Sequence, residues 1–175
     1  MTQPRSVIGM GNVAILGGTF DPVHLGHLLI AQTALSQVGL ERVFWVPNRH
    51  PPHKVGSLYE HRQAMVAKAI ADNPIFTLPD LETDEIGIDY AFLSLQKLQK
   101  AYPNCHWYWI LGLDAFKTLP IASQNISFHW QLLQMPPTGI SSSLIRQYCR
   151  EHRSIRYLVP ESVRAYITIH NIYSN

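Results

Sequence analysis

The chain has 175 residues, 46% hydrophobic and only 15% charged, with fourteen Lys and Arg against twelve Asp and Glu and a formal net charge of +2. That is enough chain for one domain with its own core, read as residues 1–175, and too little for a large second module. The near-balance of charge, with no basic run, argues against a nucleic-acid partner, and no apolar stretch is long enough to span a membrane.

Asn12–Leu16 is a short apolar run ending at Gly17-Gly18, which predicts a buried parallel strand. Leu28, Ala31, Leu35 and Val38 then recur at helical spacing, and Gly39 stops the helix. Val43–Val46 predicts a second buried strand, ended by Pro47, and a loop rich in Pro and His leads to helical spacing over Glu60–Ala71. Ile75–Leu78 reads as a third strand and Tyr90–Ala101 as a helix. His106–Leu111 is an aromatic strand ending at Gly112, and Trp130–Met135 reads as a fifth strand. Two helices, Ser142–Glu151 and Glu161–His170, complete the chain. Strands alternating with helices at this rhythm predict an α/β domain with a mostly parallel sheet of five to six strands, right-handed crossovers and a C-terminal helical segment. Such sheets bind ligands beyond the carboxyl ends of their strands, so the loops after the strands hold the chemistry.

The string Gly17-Gly18-Thr19-Phe20-Asp21-Pro22-Val23-His24-Leu25-Gly26-His27 joins the first strand to the first helix. Glycines at a strand end let backbone N–H groups approach an anion, and the following helix adds free N–H groups and a positive dipole end. His24 and His27, three apart, can present both rings on one side of that terminus, with Gly26 leaving room for a ligand. Together they suit nucleotide phosphates and the charge that develops during transfer; taken apart, the same residues make a tight turn and a helix cap. After the second strand, Asn48 can donate and accept toward a ring or carboxyl group, and Lys54 offers a flexible cation, although the prolines also fit a plain surface loop. Asp114, after Gly112, suits ribose hydroxyls or a helix N-cap. Ser141–Ser143 opens a helix with Arg146 one turn in, a second anion site or a serine cap beside a solvated arginine.

Three weaker signals are set aside. The pairs His24/His27 and His50/His53 resemble a tetrahedral zinc set, but no cysteine or paired carboxylate accompanies them. Gly9-Met10-Gly11 precedes a strand instead of following one, so it is not a dinucleotide fingerprint. Asn125-Ile126-Ser127 is a glycosylation sequon only in a secreted chain, and the N-terminus shows no long apolar leader. Cys105 and Cys149 lack metal-ligand spacing and fit a reducing cytoplasm.

The string from Gly17 to His27 resembles the signature of the His-x-Gly-His nucleotidyltransferase superfamily, and Gly-Gly-Thr-Phe-Asp-Pro-Val-His is most similar to its nicotinate-nucleotide adenylyltransferases. Val46-Pro47-Asn48, Pro51-Pro52-His53-Lys54, Gly112-Leu113-Asp114 and Ile140–Arg146 resemble the family's later motifs, in the same order. The resemblance implies a Rossmann-like, doubly wound domain that transfers the adenylyl group of ATP to nicotinate mononucleotide, with Mg²⁺ accompanying ATP. It implies catalytic roles for His24, His27 and Arg146, and ATP contacts from Gly17, Gly18, Thr19, Phe20, Gly26, Gly112, Asp114, Ser142 and Ser143. Asn48, Lys54 and Tyr90 would meet the mononucleotide. Other readings kept open are an enzyme acting on nicotinamide mononucleotide or another phosphate-bearing acceptor, and a catalytically silent nucleotide sensor. A homo-oligomer is also left open.

Two departures from the family pattern stand out. Asp89-Tyr90-Ala91 lies where the family commonly has Ser-Tyr-Thr, so a threonine hydroxyl contact is missing. Between Asp114 and Ile140 the family usually has a longer stretch, and around residues 120–128 this chain moves straight into polar sequence. Either a deletion removes a strand or edge, or residues are absent from the chain as given; the second reading is preferred.

Overall fold

The computed structural model describes residues 11–49, 56–80, 89–112 and 131–174, with the side chains of 89–93 left aside. Within them the strands are β1 (Asn12–Gly18), β2 (Arg42–Pro47), β3 (Phe76–Thr77) and β4 (His106–Ile110). The helices are α1 (Leu25–Val38), α2 (Tyr59–Ala69), α3 (Asp89–Ala101), α4 (Ser142–Arg150) and α5 (Glu161–Ile169). All strand pairs are parallel and the spatial order is β3-β2-β1-β4. The chain therefore moves outward from β1 to β3 and then returns to the other side of β1. That reversal opens a crevice at the carboxyl ends of β1 and β4, where doubly wound sheets take their ligands.

Side chains alternate across a strand, so β1 divides its apolar residues between two cores. Ala14 and Leu16 join Val43 and Trp45 on one face, under Ala31 and Ala34 of α1, Met65, Val66 and Ala69 of α2, Ile145 of α4, and Val163 and Ile167 of α5. Val13 and Ile15 join Phe44 and Val46 on the other face, where Leu98 of α3 closes the layer with Trp107 and Trp109 packed against it. Burial on both faces is why β1 and β2 are apolar without a break. Helix α1 ends where predicted: Gly39 takes the left-handed conformation at φ +67° and its N–H caps the Leu35 carbonyl.

The sheet differs from expectation in extent. Among the described residues it has four strands, not five or six. Of Trp130–Met135, read as a fifth strand, Trp130 lies outside the described residues and 131–135 are irregular: the backbone N–H and carbonyl of Gln134 pair with the side-chain amide of Gln37 on α1, at 3.0 and 2.7 Å, so they face a helix instead of a ladder. Predicted strand Ile75–Leu78 shortens to Phe76–Thr77, in register with Val43 and Phe44 of β2, and the Ile75 carbonyl before it accepts from the Val43 N–H at 3.0 Å.

Candidate active site

The loop after β1 places two histidines at the start of α1. His24 is the N-cap residue, in extended conformation, and its backbone N–H donates to Nδ1 of His27 at 3.2 Å. The two rings stack at 3.7 Å between centroids. The edge of Phe20 supports His27 from below at 5.0 Å, and Phe20 itself rests on Trp45. Burial pulls the His24 pKa down to about 4. Burial, and secondarily the neighbouring His24, takes His27 down to about 3. Both rings are thus neutral at pH 7, and since Nδ1 of His27 accepts a hydrogen bond, its proton sits on Nε2. His27 is a fixed neutral donor, and Nδ1 of His24 is buried with no partner among the described residues.

Gly26 does not leave the open space expected of it. A Cβ there would meet the His24 ring at 2.9 Å and the Thr138 hydroxyl at 3.3 Å. The absence of a side chain at Gly26 is what allows His24 to fold back over the first turn. In that turn the Leu25 N–H is taken by the Leu158 carbonyl at 3.0 Å.

Helix α4 reaches the same loop from the opposite side. The Ser142 hydroxyl donates to the Pro22 carbonyl at 2.9 Å, and Arg146 donates to the Asp21 carbonyl at 2.6 Å and to the Ser143 hydroxyl at 3.3 Å. Ser141 caps the helix by accepting from the Leu144 N–H. The Asp21 carboxylate, 2% exposed, accepts from the Ser57 hydroxyl at 2.5 Å and the Tyr173 hydroxyl at 2.6 Å, and lies 3.9 Å from Arg146. Burial and the Asp21 charge hold the Tyr173 phenol protonated far above its ordinary pKa. The Ser57 and Tyr173 hydroxyls reach the same carboxylate oxygen, Oδ1, while Oδ2 is the one nearest Arg146; among the described residues no group of three potential ligand side chains gathers around a metal position.

Arg62 forms the third support. It lies on α2 and is 2% exposed. Nη1 donates to the carbonyls of Thr19 at 2.9 Å and Asn48 at 2.6 Å, Nη2 to Arg49 at 3.1 Å, and Nε to Ser57 at 3.2 Å. The Asn48 N–H donates to the Gly18 carbonyl at 2.8 Å, so the loops after β1 and β2 are also joined directly. Sequence reasoning passed over Arg62, Ser57 and Tyr173. For Arg62 a signal existed: it shares a helical stripe with Met65, Val66 and Ala69, the one charge on an apolar face.

The structure brings Gly17, Gly18, Thr19, His24, Gly26, His27, Ser142, Ser143 and Arg146 together at one end of β1. Three of the expected ATP contacts also have structural partners: the Phe20 ring is 1% exposed beneath His27, the Thr19 carbonyl accepts from Arg62, and the Ser142 hydroxyl donates to the Pro22 carbonyl. Asn48 follows β2 on the neighbouring loop, and Gly112 follows β4 with open space where a Cβ would stand. His50, His53, Lys54, Asp114 and the Tyr90 side chain lie outside the described residues.

A parallel sheet with its order reversed at β1, and paired histidines at a helix N-terminus over that point, define a nucleotide-binding α/β protein of the His-x-Gly-His type. The cytidylyltransferase-like family model matches residues 15–148. The probable nicotinate-nucleotide adenylyltransferase of Trichormus variabilis is 44% identical over 94% of this chain and 98% of its own length, and that of Synechococcus sp. (strain JA-2-3B'a(2-13)) is 38% identical over 92% and 96%. The chain belongs to the cytidylyltransferase-like family, among its nicotinate-nucleotide adenylyltransferases. The alignment with the Trichormus relative runs over 204 positions, more than the 175 residues here, so that relative carries residues with no counterpart in this chain. The nicotinic acid mononucleotide adenylyltransferase of Plasmodium falciparum, solved with APC and with NaAD, shares the fold at TM-scores of 0.73 and 0.72, at 20% and 21% identity over 93% of this chain and 97% of its own.

Proposed function

We propose that this protein transfers the adenylyl group of ATP to nicotinate mononucleotide, giving the dinucleotide and pyrophosphate. The observation that carries the reading is the neutral His24–His27 pair fixed at the first turn of α1, on the loop whose Asp21 carbonyl Arg146 grips. A phosphate oxygen of the mononucleotide attacks the α-phosphorus of ATP, and the bond from that phosphorus to the oxygen bridging to the β-phosphate breaks. The attacking phosphate is already ionised at pH 7, so no strong general base is needed. Positioning and charge stabilisation do the work.

In this reading Nε2 of His27 donates to the phosphates, and the His24 ring stacked on it holds it in place. Arg146, with Ser143, faces the departing pyrophosphate. The Gly17–Thr19 backbone and Gly26 line the ATP phosphates, Gly112 and Asp114 the adenosine, and Asn48, Lys54 and Tyr90 the mononucleotide. Phe20 and Ser142 act by holding the loop in shape. Mg²⁺ would come with ATP as part of the substrate and neutralise phosphate charge, while Asp21 orients the loop through Ser57 and Tyr173. Residues 1–175 act as one domain. Among the described residues no helix is long and apolar enough to cross a membrane. Two cysteines without metal-ligand spacing or a disulfide framework favour the reducing cytoplasm as the place of work.

A pyrophosphate-release assay with MgATP and either mononucleotide tests this. The expected result is a higher kcat/KM for nicotinate mononucleotide and a fall of about 10²–10³ in kcat for His27→Ala. A tenfold preference for the amide would move the substrate to nicotinamide mononucleotide. No release from wild type with any acceptor would leave a nucleotide sensor.

A further inference from the structure

Arg62 is a full charge placed 2% exposed in the core side of α2, and among the described residues every hydrogen bond it makes goes to a main-chain carbonyl. Burying a guanidinium is expensive unless its N–H groups are satisfied, so four carbonyls are the condition for it to be there at all. Burial lowers its pKa from the ordinary value, against which the nearby Asp21 charge acts, and a guanidinium stays protonated at any working pH. A methionine or leucine would fill the same space in an apolar core without that cost. What the arginine adds is a connection.

The carbonyls belong to different loops. Thr19 is in the β1–α1 loop, Asn48 and Arg49 are in the β2–α2 loop, and Ser57 leads into α2. Thr19 and Asn48 are held by the same nitrogen, Nη1, so a single atom fixes the spacing of the two loops. The planar fork cannot shift toward one loop without losing bonds to the other. Tyr59 stacks below the guanidinium at 5.5 Å and adds a further restraint.

From this geometry we infer that Arg62 is a positioning residue that couples the ATP loop to the mononucleotide loop and sets the separation of the two reacting phosphates. The inference rests on the assignment of those loops to the two substrates. Transfer needs the attacking oxygen within about 3–3.5 Å of phosphorus, and an error of about 1 Å costs roughly 10²-fold. Occupying one loop therefore preorganises the other through Arg62, which is positive coupling between the two substrates.

The test is calorimetric and kinetic. Wild type and Arg62→Lys, which keeps the charge and loses the fork, are titrated with an ATP analogue carrying a methylene between the α- and β-phosphates, without and with saturating nicotinate mononucleotide. The expected result is tighter analogue binding by wild type when the mononucleotide is present. In Arg62→Lys that gain disappears, each substrate alone binds within about threefold of wild type, and kcat falls by about 10². Equal losses in both binary affinities with coupling intact, or unchanged kcat and coupling, overturn the inference. Failure of wild type to bind either substrate overturns the functional reading itself. Hydrogen exchange on wild type needs no variant: nicotinate mononucleotide alone should slow exchange at Thr19–His24 as well as at Asn48–Arg49. Slowing confined to Asn48–Arg49 would defeat the coupling.

Discussion

At the scale of single residues, the site depends on imidazoles kept uncharged. A charged His24 would lie 3.7 Å from the His27 ring centroid in a largely buried loop, where desolvation and repulsion act together. The consequence for stability has a definite sign. The folded rings titrate at about 4 and about 3, whereas unfolded histidine titrates at about 6.5. Between those values the unfolded chain binds protons that the folded chain refuses, so stability falls as pH falls. Each ring contributes a slope of about 1.4 kcal/mol per pH unit through that window. Urea denaturation at intervals from pH 7 to pH 4.5 should show the loss, and His27→Gln should remove about half of the two-ring slope. A profile identical in the variant would mean that His27 is not held neutral by the fold.

At the scale of elements, local patterns read correctly wherever one physical rule decided the outcome. An apolar run buried on both faces made β1 and β2 legible, and Gly39 marked the end of α1 because only a residue at ease with φ +67° closes a helix in that way. The string from Gly17 to His27 pointed to the site for the same reason, since its spacing alone brings two rings to one helix terminus. What stayed illegible depends on contacts across long separations. Gln134 meets Gln37 on α1, so 131–135 forms no strand despite its apolar residues. Tyr173 meets Asp21 across 152 positions, and no local pattern announces that contact. The C-terminal segment thus closes over the loop that α4 grips through Arg146. Tyr173→Phe would leave Asp21 short of one donor in a buried setting, at a cost of about 1–3 kcal/mol. A lowering of the melting temperature by several degrees is expected, and an unchanged value would show that Ser57 and Arg146 suffice.

At the scale of the whole molecule, the site has no independent frame. Its floor is the end of β1, which pairs with β2 on one side and β4 on the other. Its walls are α1 and α4, and its braces come from α2 through Arg62 and from the chain's end through Tyr173. Residues from Gly18 to Tyr173 thus meet around one loop, and the two apolar layers share the same central strands. A loop held from so many directions cannot open without loosening the sheet's carboxyl end, so local opening and global unfolding should lie close in free energy. The expected result is one cooperative transition, with coincident midpoints by near-UV and far-UV circular dichroism and equal calorimetric and van't Hoff enthalpies. ATP at one hundred times its dissociation constant should raise the unfolding free energy by about 2.7 kcal/mol, with the single transition kept. Two separable transitions, only one of which moves with ATP, would show instead that the nucleotide loops form a unit of their own and that the braces from α2 and Tyr173 do not tie them to the sheet.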